Sequence, residues 1–253
     1  MHCTPGRNAR RPHWRGHRRT NSIASMKATT DALMQLPLFP LQSVLFPGGL
    51  LPLQIFEVRY LEMIARRHRE GLPFGVVCLS TGNEVQRPPA EAGGEAFAAE
   101  AFHPIGTLAR IDELQKPHPG LLIVRCTATH RFRLLRSARQ KFGLWVGDAE
   151  PIADDAEVTV PDDLAIARDA LRALIRDAEA EREADPEARA ELPWRRPYRW
   201  DDCGWLANRW CEVLPLAVEV KQRFMAIESP VVRLELVADV LREMGLVAPG
   251  AAT

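Results

Sequence analysis

The chain has 253 residues, enough for one large domain or two small ones, with the ordinary globular composition of 46% hydrophobic and 26% charged residues. Its formal net charge is zero, yet residues 1–26 hold six arginines and no acid, which leaves 27 basic against 33 acidic residues in the remainder, about −6. An acidic body argues against nucleic-acid binding as the main task, and five cysteines with no CxxC pair supply no zinc or redox motif.

Residues 1–34 read as a basic tail. Its first 25 residues contain no apolar core, so they are not a secretory signal. They share an Arg-rich, acid-free composition with transit peptides, but the simpler reading is a disordered tail or upstream sequence, with Met26 as the expected start. His2, Cys3, His13 and His17 lie there without metal-ligand spacing. With no signal and with Cys78 and Cys126 inside apolar runs, the expected setting is a reducing cytoplasm.

The next stretch, "LPLFPLQSVLFPGGLLPLQIF" (Leu36–Phe56), is apolar enough to suggest a membrane span. Pro37, Pro40, Pro47 and Pro52 each remove a helical donor, so a spanning helix is excluded. Two short buried strands, Leu36–Leu41 and Leu50–Ile55, are expected instead, joined by a Pro47-Gly48-Gly49 turn. Glu57 then opens a helix with Val58, Leu61, Ile64 and Ala65 on its buried face and "RRHR" (Arg66–Arg69) on its solvated face. "PFGVVCLS" (Pro73–Ser80) has strand length and strand composition. Thr81–Ala101, rich in Gly, Pro and Ala, reads as a long surface loop. "FHPIGTLARIDEL", "GLLIVRCTATHRFRLLR" and "FGLWVGDAEPI" add further strands.

After Asp154 the period becomes helical. Pro161, Asp162 and Asp163 suit a helix start, and Leu164, Ala167, Leu171, Leu174 and Ile175 form its apolar stripe. "DPEARAELPWRRPYRW" (Asp185–Trp200) is an irregular connector. Three helices follow, near Asp202–Leu214, Ala217–Ile227 and Pro230–Met244. Ser229 and Pro230 form an N-cap and N1 pair in front of the last, and Leu234, Val237, Leu241 and Met244 give it a buried stripe. The division is therefore 35–155 β-rich and 156–248 helical, an α+β chain.

No phosphate-binding loop, GxSxG elbow or HExxH motif occurs, and the seven histidines are isolated. No cofactor or metal is expected, and no enzyme activity. "PWRRPYRW" (Pro193–Trp200) interleaves arginines with aromatics. It reads either as a recognition loop, for nucleic acid by stacking or for peptide through aromatic and Arg anchors, or as a loop pinned to the helical half, the latter being the simpler.

The opening stretch resembles the start of the amino-terminal, substrate-binding domain of the Lon ATP-dependent proteases. The pattern Pro-Leu-x-x-x-Val-x-x-Pro-Gly-x-x-x-Pro-Leu falls on Pro40, Leu41, Val44, Pro47, Gly48, Pro52 and Leu53. "IGTLARIDEL" (Ile105–Leu114) and "IVRCTATHRFRLL" (Ile123–Leu135), with Arg131 and Arg133, resemble later strands of that family. The stretch ending in "KQRFMAIESPVVRLELVADVLREM" resembles its helical end. The resemblance implies a PUA-like β pseudo-barrel followed by a helical bundle. No ATPase module and no Ser-Lys protease domain appears in the sequence, so neither activity carries over and a stand-alone member is expected.

It also implies a function: a non-enzymatic module that binds unfolded or peptide-like segments of other proteins. Candidate contacts are Phe46, Trp194, Arg195, Tyr198 and Trp200. The alternatives are RNA binding, since PUA-like folds also occur in RNA-binding proteins, an adaptor docking on a separate ATPase or protease chain, and an unrecognised enzyme using the barrel cleft. No membrane partner is expected.

Overall fold

The computed structural model describes residues 33–81, 100–184 and 193–247. The strands are β1 (Leu36–Leu41), β2 (Leu50–Ile55), β3 (Phe74–Thr81), β4 (Ala101–Phe102), β5 (Ile105–His118), β6 (Leu121–Arg139) and β7 (Trp145–Pro151). The helices are α1 (Val58–Glu70), α2 (Ala165–Ala184), α3 (Cys203–Val213), α4 (Val218–Ala226) and α5 (Pro230–Glu243). The fold is α+β, with every strand preceding the four helices of the C-terminal half. Most of the segment expected as a long loop, Thr81–Ala101, and the basic tail lie outside the described residues, as does part of the connector.

Five strands close a ring. β1 runs parallel to β3 and antiparallel to β7, and β7, β6, β5 and β3 continue antiparallel back to it. β6 is long enough to pair with β5 along both halves, with β2 in its first half and with β7 in its second.

The two strands flanking the Pro-Gly segment are consecutive in the chain but do not pair with each other. β1 is inserted between β3 and β7, while β2 pairs with β6. Gly48 N donates to Ala128 O and Ala128 N donates to Gly49 O, both at 2.9 Å, so the segment is a bulge clamped on β6 rather than a hairpin turn. Antiparallel alternation from that pair turns Leu51 and Leu53 toward β6 and Pro52 toward the other side. A proline can sit there because no ladder donor is needed.

The core has three clusters. Tyr60, Met63 and Ile64 of α1 pack on Phe39, Leu41, Phe74, Val76 and Val124 on one face of the sheet. Leu36, Leu38, Val77, Leu108, Phe132 and Ala149 form a second cluster among the ring strands. The helices form the third, into which Ile105 of β5 and Phe46 of the β1–β2 connection also project. α2 buries Ala167, Leu171 and Ile175, as its pattern predicts, although Leu174 is 37% exposed. α5 buries Leu234, Val237 and Leu241, and Met244 falls beyond its end, exposed. All four described cysteines are buried free thiols.

Within the ring, Gly106 has no room for a side chain. A Cβ there would lie 2.5 Å from Phe132 Cζ and 2.5 Å from the Val76 carbonyl oxygen. The second contact is backbone and cannot swing aside. Gly106→Ala is therefore expected to cost about 3 kcal/mol or to open the β3–β5 pairing, read as a drop in denaturation midpoint.

Two charged clusters join the ring to the helices. Asp155, just after β7, receives Arg131 of β6 at 2.8 Å and Arg233 of α5 at 2.6 Å. Arg209 of α3, fully buried, donates through Nη2 to the Pro47 carbonyl at 2.7 Å and lies 2.9 Å from Glu212. Gly49 is held against that pair so closely that a Cβ would lie within 3 Å of the Phe46 carbonyl, at 2.9 Å, and collide with Glu212.

Candidate functional site

A groove of about 660 Å³ lies between α1 and the turn that leads into β7. This volume lies within the range of small-ligand and peptide side-chain sites. One wall is the flank of α1 with Val58, Arg59, Glu62, Met63, Arg66 and Arg67. The facing wall is Gln35 and Pro37 at the start of β1, with Phe142, Leu144 and Val146.

The sequence builds this groove by leaving two large apolar side chains in water. Val58 is 79% exposed and Phe142 is 89% exposed. Phe142 sits in a tight turn where Gly143 N donates to Gln140 O at 3.1 Å and Gln140 N to Leu144 O at 2.8 Å. Its φ is 67°, in the left-handed region that a bulky L residue occupies only under strain. A strained, exposed aromatic at the rim of a groove is the kind of feature found at ligand-contact sites.

Arg59 ties the walls together. Its Nη1 donates to Gly143 O at 3.2 Å, its Nε donates to Glu57 at 2.9 Å, and its guanidinium lies 4.4 Å from the Tyr60 ring centroid. Burial pushes the Tyr60 hydroxyl well above its ordinary pKa, so it stays protonated. Along α1, Arg66 Nε donates to Glu70 at 2.9 Å in an i,i+4 pair. Arg67 is partly buried, and burial holds its guanidinium below its usual pKa.

The residues singled out in the sequence lie elsewhere. Phe46 is wholly buried in the helical cluster, so it offers nothing to a ligand. Trp194 is likewise core, at 6% exposed. Tyr198 and Trp200 are partly buried and pack edge to face, with ring centroids 5.1 Å apart, and both rings also contact Trp205. Their arginine neighbours are engaged by acids. Arg196 pairs with Glu179 at 3.0 Å, Arg199 with Glu157 at 2.9 Å and with Asp202, and Arg195 lies 3.8 Å from Asp112. The Tyr198 hydroxyl donates to Glu179 at 2.5 Å and the Arg172 guanidinium lies 5.1 Å from the Trp200 ring. The segment is thus pinned to the helical half, the simpler of its two readings, because every aromatic there has a packing partner.

The groove residues carry little signal in the sequence, for identifiable reasons. Val58 fits the apolar stripe of α1 by spacing, but the helix rotates so that Arg59, Tyr60 and Met63 are buried beside the expected Ile64 while Val58 is exposed. Phe142 reads as the first residue of a strand, whereas β7 begins at Trp145. The Gly143 that follows it is the one sequence signal of a turn. Arg67 reads as part of a solvated face, and its neighbours Arg66, His68 and Arg69 are indeed exposed. Among the described residues no group of His, Cys, Asp and Glu is placed to hold a metal, and no helix is long and apolar enough to cross a membrane.

The sequence matches the family of the ATP-dependent protease La (LON) substrate-binding domain over residues 35–243. The chain belongs to that family. It is similar to the crystal structure of a Lon N-terminal domain protein from Xanthomonas campestris, at 26% identity and a TM-score of 0.59, over 81% of this chain and 96% of that one. The N-terminal domain of Lon protease from the Mycobacterium avium complex has the same fold at 15% identity, with a TM-score of 0.50 and the same coverage of 81% and 96%. No curated protein matches the chain. The Lon-type domain here thus includes both the ring of strands and the helices, and the chain is a Lon N-terminal-like binding module.

Proposed function

We propose that this Lon-type domain binds unfolded or peptide-like segments of other proteins in the groove between α1 and the Phe142 turn, and that it does so without catalysis. The observation that carries the reading is the paired exposure of Val58 and Phe142 on opposite walls of a concave apolar site. An unfolded segment offers large apolar side chains, and a groove of this size seats one or two of them. Edge-strand capture is a weaker route, because Pro52 interrupts the side of β2 turned away from β6. The RNA reading loses support because the arginines of Pro193–Trp200 contact carboxylates. The buried free thiols fit a reducing cytoplasm as its setting.

Phe142→Gly tests the site cleanly. Glycine removes the aromatic and also accepts the left-handed backbone. Relief of roughly 1–2 kcal/mol of strain offsets the extra freedom of the unfolded chain, so stability is expected to stay within about 1 kcal/mol of the parent. Affinity for a reduced, unfolded protein is expected to fall about tenfold or more, as for loss of an aromatic anchor. Binding of the parent should tolerate salt. Unchanged affinity in Phe142→Gly, measured by fluorescence anisotropy, removes the groove from the account.

A further inference from the structure

We infer that the groove selects segments in which a carboxylate neighbours a large apolar side chain, with Arg67 as the cation that receives it. The inference rests on the groove reading above and adds a charge requirement to it.

Its ground is the charge inventory of the lining. Arg59 is held by Glu57 and by the Gly143 carbonyl. Arg66 is held by Glu70 at 2.9 Å, and Glu62, one turn before it, faces it along the helix. Arg67 also lines the groove, yet among the described residues it forms no ion pair and no side-chain hydrogen bond. Glu70 reaches it only through space, its carboxylate already hydrogen-bonded by Arg66. The helix dipole accounts for basic residues in a last turn, and His68 and Arg69 serve it while exposed. It does not account for one guanidinium drawn partly out of water beside Met63 and Leu72. A partly desolvated cation without its own anion favours a ligand that brings one, and a guanidinium takes a carboxylate in a two-pronged contact. The apolar wall of Val58, Leu72 and Phe142 would seat the neighbouring side chain, so the occupant is an apolar segment carrying Asp, Glu or a terminal carboxylate.

The test uses the full chain and three labelled peptides with one Leu- and Phe-containing core, flanked by Asp, by its neutral isostere Asn, or by Lys. Anisotropy titrations at low salt are expected to show the Asp peptide binding about tenfold more tightly than the Asn peptide, with the Lys peptide weakest. In Arg67→Gln the ratio of Asp-peptide to Asn-peptide affinity is expected to fall to about one, and Arg67→Lys is expected to restore part of the Asp preference. Equal binding of the Asp and Asn peptides by the parent, or a preference that survives Arg67→Gln, overturns the inference. Phe142→Gly separates the two ideas. If it abolishes binding while the parent ignores charge, the groove stands and the carboxylate requirement falls. If it leaves all peptides bound, or if no peptide binds the parent, both fall.

Discussion

Replacing Asp155 by alanine is expected to cost about 3–5 kcal/mol, the range for removing one partner of a buried ion cluster. Two guanidinium groups share this carboxylate. Arg131 Nη2 donates to Oδ1 at 2.8 Å, and Arg233 donates to Oδ2 at 2.6 Å and to Oδ1 at 3.0 Å. Their side chains are only 4% and 1% exposed. The remaining donors go to helix-end carbonyls and an amide. Arg131 Nη1 reaches Met225 O at 2.9 Å, Arg233 Nε reaches Phe224 O at 3.1 Å, and Arg233 Nη1 reaches Asn208 Oδ1 at 3.1 Å. The cluster therefore stitches β6 to the ends of α4 and α5. Burial lowers the pKa of Arg131, and Asp155 is the largest influence holding it up. Without the carboxylate, two cations remain buried with only neutral acceptors, and the junction between ring and helices is where the structure opens. Asp155→Asn keeps the shape and one acceptor and is expected to fall between parent and alanine. Replacing Arg131, Asp155 and Arg233 together by apolar residues of similar volume is expected to recover most of the loss, because the desolvation of all three charges is then avoided. Guanidinium unfolding reads all three variants. A loss under about 1 kcal/mol in Asp155→Ala would show that the cluster contributes no more than a surface pair.

Much of the fold is legible in the sequence because its signals are local. The prolines exclude a span, Leu36–Leu41 and Leu50–Ile55 emerge as strands at those limits, and Ser229 with Pro230 marks the start of α5. What is not local is not legible. Pairing of β1 with β3 and β7, rather than with β2, depends on ring closure between segments far apart in the chain. The site is harder still. Aromatic density is highest at Pro193–Trp200, yet an aromatic surrounded by other aromatics and by acids on α2 is one whose contacts are already made. Phe142 stands alone in sequence between Lys141 and Gly143, and only the backbone turn shows that it is left exposed. Arg67 carries the same letter as Arg66, and burial and pairing alone distinguish them.

The second buried pair predicts an unusual dependence on pH. Glu212 of α3 lies 2.9 Å from Arg209 Nη2, but that nitrogen is directed at the Pro47 carbonyl, and both Glu212 oxygens are buried without a hydrogen-bond donor. Arg209 Nε and Nη1 are likewise without acceptors. Burial pushes the Glu212 carboxyl from 4.5 up to about 8, against the opposing pull of Arg209 and Lys221. The folded state thus keeps a proton that the unfolded state releases near its ordinary value. Between those two values the native state binds more protons, so its stability falls as pH rises, and it levels off once both states are ionised. The loss is expected to reach a few kcal/mol between about pH 5 and pH 8.5, opposite in sign to the usual paired carboxylate. Glu212→Gln keeps the shape and removes the titration. It is expected to match the parent near pH 5, to exceed it near pH 8.5, and to have a flatter profile between. Denaturant unfolding at several pH values checks both curves. A parent profile that is flat or rising over that window would mean that Arg209 and Glu212 stay ionised together, with the turn at Pro47 and Gly49 resting on a true salt bridge.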